Sequence, residues 1–210
     1  RPRDDKVLSP AEASAFLLAD VVVEEKIDGA NIGISLDEAG MLRVQNRGQF
    51  LAMPYRGQFS RLGAWLAQYE ISLKHVLANG TILFGEWCAA KHSLAYDRLP
   101  DWFLLFDVYQ EQSEYFWSTD RRNQLAREAG LCVVHKVSSG RFNLNQLKKM
   151  LEETKSKYRD GLMEGLVLRK ETKSKCEARA KLVSADFSQS IDEHWRSRAI
   201  EWNRVVATHN

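Results

Sequence analysis

Long apolar runs are missing from this sequence. Its most hydrophobic stretches, such as Ile82-Leu83-Phe84 and Phe103-Leu104-Leu105-Phe106, are broken by polar residues within a few positions, whereas a membrane-crossing helix needs about 20 apolar residues in a row. No secretory leader pattern stands at the start. Cysteine is scarce: Cys88, Cys132 and Cys176 are odd in number, far apart and outside any CxxC spacing. That argues against a disulfide scaffold or structural zinc site and points to a reducing intracellular compartment, cytoplasmic by default. With only 4 Pro and 12 Gly, the chain is neither collagen-like nor of low complexity. An excess of one charge is also lacking, since 30 Lys and Arg stand against 28 Asp and Glu, for a net +2. Such a balance excludes a polycation that holds nucleic acid by bulk charge and leaves room for a local basic groove.

What is present reads as globular. Hydrophobic residues make up 44% and charged residues 28% of the 210, enough to build one sizeable core. The chain begins Arg1-Pro2-Arg3 instead of Met, so a trimmed piece of a longer polypeptide is expected.

The pattern alternates between strand and helix signals. Ser9 and Pro10 suit the start of a helix over residues 10–20. Val21-Val22-Val23 opens a strand to Lys26, Asp28-Gly29 marks a turn, and residues 31–36 alternate apolar and polar as a strand does. With a turn at Glu38-Ala39-Gly40 and a return over 41–45, an antiparallel meander is expected. Leu62, Trp65, Leu66 and Tyr69 have helical spacing, and Asn79-Gly80 ends that helix. Residues 81–87 and 102–109 read as central strands covered on both sides, separated by a loop over 88–101. Helices are expected over 119–129, capped by Ser118 or Thr119 and stopped by Gly130, and over 144–157; strands over 132–137 and 166–170; and a terminal helix over 191–206. The whole is an α+β domain over residues 1–210, with antiparallel sheets flanked by helices.

Chemistry gathers at strand ends. In Glu25-Lys26-Ile27-Asp28-Gly29, a lysine at the end of a β-branched strand can lose solvation and have its pKa lowered, which makes its amine a nucleophile. Strand alternation puts Asp28 on the Lys26 side, and Gly29 permits a tight turn. A surface lysine before an ordinary Asp-Gly turn is the competing reading of the pentapeptide. Further along, Arg47-Gly48, Glu86 after Ile82-Leu83-Phe84-Gly85, Glu164 before Gly165-Leu166-Val167-Leu168 and Lys181 within Ala180-Lys181-Leu182-Val183 place charges in apolar segments. Such charges are costly to bury without partners or ligands. A cleft that collects lysines, an arginine and several carboxylates suits nucleotide-phosphate chemistry with a divalent metal.

In order, Lys26-Ile27-Asp28-Gly29, Arg47-Gly48, Phe84-Gly85-Glu86, Phe106-Asp107, Glu164-Gly165-Leu166-Val167 and Lys181 resemble motifs I, Ia, III, IIIa, IV and V of the covalent nucleotidyltransferase superfamily of polynucleotide ligases and mRNA capping enzymes. They extend over about three quarters of the chain. Residues 84–109 resemble the RNA ligase branch, including the bacteriophage RNA ligase 2 type. The resemblance implies the nucleotidyltransferase fold, with ATP and Mg²⁺ or Mn²⁺ as cofactors and RNA with 5′-phosphate and 3′-hydroxyl ends as partner. Lys26 would attack the α-phosphorus of ATP and carry AMP; Lys181 would act on the α-phosphate. It further implies that Asp28 contacts ribose or assists the metal, that Arg47 meets ribose or the 5′-phosphate end and that Glu86 binds ribose. Glu164 would be the metal-associated acid, Glu25 would read adenine and Gly29 would complete the first motif. Phe106 would line or stack in the nucleotide pocket, or else pack in the core.

Two positions depart from the family pattern. Arg179-Ala180-Lys181 stands where Lys-x-Lys is common, with Arg179 the expected phosphate contact, and Arg169 stands where lysine is frequent. Roughly thirty residues follow Lys181, too few for the OB-fold of DNA ligases and capping enzymes. A DNA nick ligase and a silent nucleotide- or RNA-binding module are the alternatives. His92, with Lys91, Ser93 and Tyr96, is placed either at an RNA end or on a solvated loop. The six basic residues of 169–181 either touch phosphates or form an exposed flexible loop.

Overall fold

The computed structural model of the chain describes residues 6–184 and 199–206. The elements in chain order are β1 (Lys6–Val7), α1 (Pro10–Phe16), β2 (Val21–Lys26), β3 (Ala30–Leu36), β4 (Leu42–Asn46), β5 (Gln49–Phe50), α2 (Leu62–Leu77), β6 (Thr81–Trp87), β7 (Phe103–Gln110), β8 (Tyr115–Trp117), α3 (Thr119–Ala129), β9 (Cys132–Val133), β10 (Lys136–Gly140), α4 (Leu144–Glu153), β11 (Gly165–Glu171) and β12 (Lys175–Val183). The strands join one sheet in the order β10-β2-β11-β12-β8-β7-β6-β3-β4-β5, with β1 beside β12 and β9 beside β7. Pairing along the path is antiparallel, and the two side strands add parallel pairs.

Local chemistry sets the helix ends. Ser9 and Glu12 exchange bonds in a capping box at α1, as Asn143 and Gln146 do at α4. Ser118 accepts from Arg121 N at the start of α3, and Gly130 ends it in the left-handed conformation at φ 71°. The sheet divides functionally into two halves joined by β8, which shares only two register pairs with each neighbour. Leu147 and Leu151 of α4 pack on Val21, Val23, Leu166 and Leu168 in the first half. Leu62, Trp65 and Leu73 of α2 and Leu125 of α3 pack on Ile32, Ile34, Leu83 and Val108 in the second. Each half thus has one face buried under helices, and the remaining faces border a common cavity. None of the described helices is long and apolar enough to cross a membrane.

Three expectations change. The meander holds for β3 and β4, but β2 lies between β10 and β11 in the other half of the sheet. The chain crosses between halves at residues 27–29, where a Cβ on Gly29 would come 2.7 Å from Trp87 O; only glycine passes this close to β6. The exposed loop considered for residues 169–181 is instead the β11–β12 hairpin, paired from Gly165↔Val183 to Glu171↔Cys176. Of the helix expected over 191–206, residues 191–198 lie outside the described residues, and 199–206 is not helical. Its backbone groups bond to the loop over 88–101: Asn203 N donates to Ala89 O, Arg204 N to Tyr96 O and Val206 N to Leu99 O. Shorter differences follow the same logic, since residues 132–137 divide between β9 and β10 and α4 stops at Glu153.

Candidate active site

Strand register assembles the site. Glu24, Val167 and Lys181 are neighbours across β2, β11 and β12, and Val22, Arg169 and Arg179 form the next such row. Because side chains alternate, Glu24, Lys26, Val167, Arg169, Arg179 and Lys181 share one face. From the other half, Asn31 of β3 pairs with Glu86 of β6. In β7 the register slips between Phe84↔Asp107 and Gly85↔Leu105, which leaves Phe106 as the extra residue of a β-bulge. Bulges re-aim side chains beside functional sites. The shared face of β2, β11 and β12, with Asn31, Glu86, Phe106 and Asp107, lines a cavity of about 200 Å³, to which Phe106 and Val167 bring apolar walls from opposite halves.

At one end of the cavity, Lys26 Nζ lies 3.3 Å from Glu164 Oε2 and 3.5 Å from Oε1. Burial pulls the ammonium pKa down, but attraction to Glu164, then to Glu86 and Asp28, outweighs it, so the net shift is upward. This corrects the expectation of a lowered pKa: sequence pattern showed the apolar strand and not the carboxylates gathered around its end. Glu86 is raised to about 8, chiefly by burial, and it accepts from Gly29 N at 2.9 Å. Glu164 is also raised, by burial first, with Lys26 opposing.

The remaining predicted residues are placed as follows. β2 ends at Lys26, so Asp28 does not continue its alternation. Asp28 Oδ2 accepts from Ser93 N at 2.7 Å and Leu94 N at 2.9 Å, which turns the carboxylate toward the loop over 88–101. Glu25 is nearly fully buried; its carboxylate accepts from Ser156 Oγ at 2.6 Å and Lys157 N at 3.0 Å, and burial raises its pKa. Alternation sends that carboxylate to the face of β2 opposite Lys26, while Glu25 itself is among the residues that line the cavity. Lys181 and Arg179 both line the cavity; the Arg179 guanidinium bonds Asp107 and lies 3.9 Å over the Phe116 ring. Arg47 sits exposed at the β4–β5 hairpin tip, at φ 49°, with Gly48 at φ 79°. Asp28, Gly29, Arg47 and Glu164 are not on the cavity wall. Glu164 is nevertheless brought to the site by its ion pair with Lys26.

Sequence reasoning missed Arg122 and the ion pairs that join the charges around the cavity. Arg122 of α3 grips Glu24 at 2.8 and 2.6 Å, and Arg169 pairs with Asp107 at 2.6 Å and Glu171 at 3.0 Å. Phe106 O, at the bulge, accepts from Arg122 Nη1 at 2.8 Å and Arg169 Nη1 at 3.1 Å. Helical spacing puts Arg122 on the same face as Leu125, Ala126 and Ala129, but its partner Glu24 is invisible in that pattern. Asn31 was findable, because it alternates with the core residues Ile32 and Ile34 and so faces away from the core.

Among the described residues, no group of three or more His, Cys, Asp or Glu side chains forms a cage for a metal ion. Glu164, beside Lys26, instead fits a hard cation shared with ligand phosphates, which commonly uses one or two carboxylates.

The family model described as RNA ligase matches residues 19–183. No curated protein matches the chain. Among solved structures, an RNA ligase variant of Naegleria gruberi with ATP and Mn superposes with a TM-score of 0.71 at 15% identity, over 89% of this chain and 57% of that one. The Naegleria gruberi RNA ligase with pyrophosphate gives 0.69 at 15% identity, over 89% and 56%. A further variant of that ligase, with AMP and Mn, gives 0.67 at 14% identity, over 89% and 56%. The chain therefore spans a little over half the length of these relatives, and the likeness is one of fold.

Proposed function

The chain belongs to the RNA ligase family, and from that premise we propose that it uses ATP to join RNA ends, with Lys26 as the carrier of AMP. The observation that supports this most is the arrangement of one cavity: Lys26 Nζ at the Glu164 end, Arg179 and Lys181 on β12, and apolar walls from Phe106 and Val167. Phe106 and Val167 suit a planar base, and the cations suit phosphates.

In the reaction, Lys26 loses a proton and its Nζ lone pair attacks the α-phosphorus of ATP. The bond from that phosphorus to the bridging oxygen breaks, and pyrophosphate leaves. Lys26 keeps about a quarter of its side chain exposed, so the proton it loses passes to water. Lys181 faces the same cavity and stabilises negative charge as it builds on the α-phosphate oxygens. Glu164 would hold a divalent cation, with Asp28 adding negative potential; when bound, that cation would offset the carboxylate charge that keeps Lys26 protonated and would support the leaving phosphates. AMP then passes from Lys26 to an RNA 5′-phosphate, and an RNA 3′-hydroxyl displaces AMP to form the phosphodiester.

The test is incubation of the protein with α-labelled ATP and Mg²⁺, followed by denaturing electrophoresis. Label should stay on the wild-type chain and be absent from folded Lys26→Ala and Lys26→Arg. Arginine keeps the charge but is never deprotonated in this range, so it cannot attack phosphorus. Adduct in either variant removes Lys26 as nucleophile, and an unlabelled wild type removes the activity.

A further inference from the structure

Residues 27–29 lie beyond the end of β2 and before the start of β3, so no strand ladder holds them. Asp28 is fixed instead by the loop over 88–101. Its backbone N–H donates to Tyr96 Oη at 3.0 Å, and its carboxylate takes the Ser93 and Leu94 N–H groups. Two residues from the lysine, these three bonds orient the turn.

The loop is itself held from outside. Asn203, 4% exposed, donates from Nδ2 to Cys88 O at 2.9 Å and Ala90 O at 3.2 Å, and its Oδ1 accepts from Tyr96 N at 2.9 Å. Its backbone N–H bonds Ala89 O, and Arg204 N bonds Tyr96 O. One amide thus ties the start of the loop to its middle and fixes the backbone of Tyr96, whose ring is 1% exposed and packs edge-on against Tyr158. A fully satisfied buried network of this kind specifies one geometry, and loss of a member leaves buried groups unpaired.

We propose that Asn203 is a positioning residue for Lys26, acting through Tyr96 and Asp28, so that residues 199–206 set the geometry of a nucleophile more than 170 positions earlier in the chain. The proposal rests on Lys26 being the AMP carrier. Asn203 touches neither the cavity walls nor Lys26, and its effect belongs to the rate of transfer and not to nucleotide binding. Misplacement of a reacting group by about 1 Å can cost about a hundredfold in rate.

The experiment compares Asn203→Ala, Tyr96→Phe and, as control, Glu201→Gln, which removes an exposed ion pair with Lys91. Amide hydrogen exchange is followed at residues 26–29 and 93–94, together with single-turnover transfer of AMP to the chain across a range of ATP concentrations. Asn203→Ala and Tyr96→Phe should speed exchange at 26–29 and slow transfer at saturating ATP by about ten- to a hundredfold, with half-saturating ATP unchanged because Phe106 and Val167 are untouched. Glu201→Gln should match wild type in both readouts. Tyr96→Phe deletes a single oxygen and keeps both the ring and the Asn203 bonds, so it isolates the link to Asp28, and an unchanged Tyr96→Phe overturns the relay even if Asn203→Ala does not fold. Unchanged exchange at 26–29 overturns the proposal, as does a loss confined to half-saturating ATP. A wild type that takes up no AMP overturns the role of Lys26, while the exchange data still judge the link from Asn203 to Asp28.

Discussion

Lys26 and Glu164 form an ion pair 3.3 Å long across the β2–β11 edge, although 138 positions separate them in the chain. Gly165, opposite Lys26 in the register, lets β12 come close at this point: a Cβ there would lie 2.6 Å from Leu182 O. The pair favours the charged form of the proposed nucleophile.

Glu164→Gln should slow adduct formation far more than it lowers the melting temperature. The expected loss is about ten- to a hundredfold, the range found when a group supporting a metal site is removed. Adduct formation and thermal unfolding are measured on the same preparation; matched losses in both would show a structural role for the carboxylate.

Arg122→Met should destabilise the fold by about 3–5 kcal/mol, because it removes both close bonds to the buried Glu24 carboxylate and leaves it only Arg169 Nε at 4.0 Å. It also removes one of the two donors to Phe106 O. Glu24→Met combined with Arg122→Met should recover most of that loss, since a buried pair replaced as a pair leaves no lone charge. Urea unfolding of the single and double variants gives the values. No recovery in the double variant would mean that Arg122 acts through Phe106 O and not through Glu24.

Burial lifts Glu25 above its ordinary pKa near 4.5. Between that value and the raised one, the folded state binds a proton more tightly than the unfolded chain. Its contribution is thus full below pH 4.5 and is lost as pH rises through the folded value. Glu25→Gln should remove this slope, so the variant gains on wild type as pH increases from 4.5. Melting curves of the two proteins at a series of pH values test this; parallel curves would show that Glu25 is unshifted.

Sealing should prefer RNA. Nicked duplexes matched except for ribose or deoxyribose on the 3′-hydroxyl side should be joined faster in the ribose case, because the 2′-hydroxyl adds a donor and an acceptor and favours A-form geometry. Net charge of only +2 leaves binding to local phosphate contacts, so joining should weaken as salt rises. Equal sealing of both at fixed salt would defeat the preference for RNA and leave the AMP-transfer chemistry intact.

Short-range information was legible in the sequence. Ser118 and Gly130 bound α3 because a cap and a left-handed stop each act within one helical turn. The bounds of β2 follow from Val21-Val22-Val23 and the Asp28-Gly29 turn, and the ordered motifs from Lys26 to Lys181 identify the family without any contact being known. The tertiary structure alone decided which strands became neighbours. Alternation in residues 31–36 looks the same whether β3 pairs with β2 or with β6, and only packing under α2 and α4 separates the two.

The same division runs through the site. The sequence determined which charges stand at strand ends, because each is a local break in an apolar run. It could not determine the direction of the Lys26 shift, since burial and three carboxylates from β6, the turn and the residue before β11 act in opposite senses, and their balance depends on distance. Nor could it show Arg122 paired with Glu24 or Asn203 behind the loop. Each acquires its role from buried partners roughly a hundred positions away.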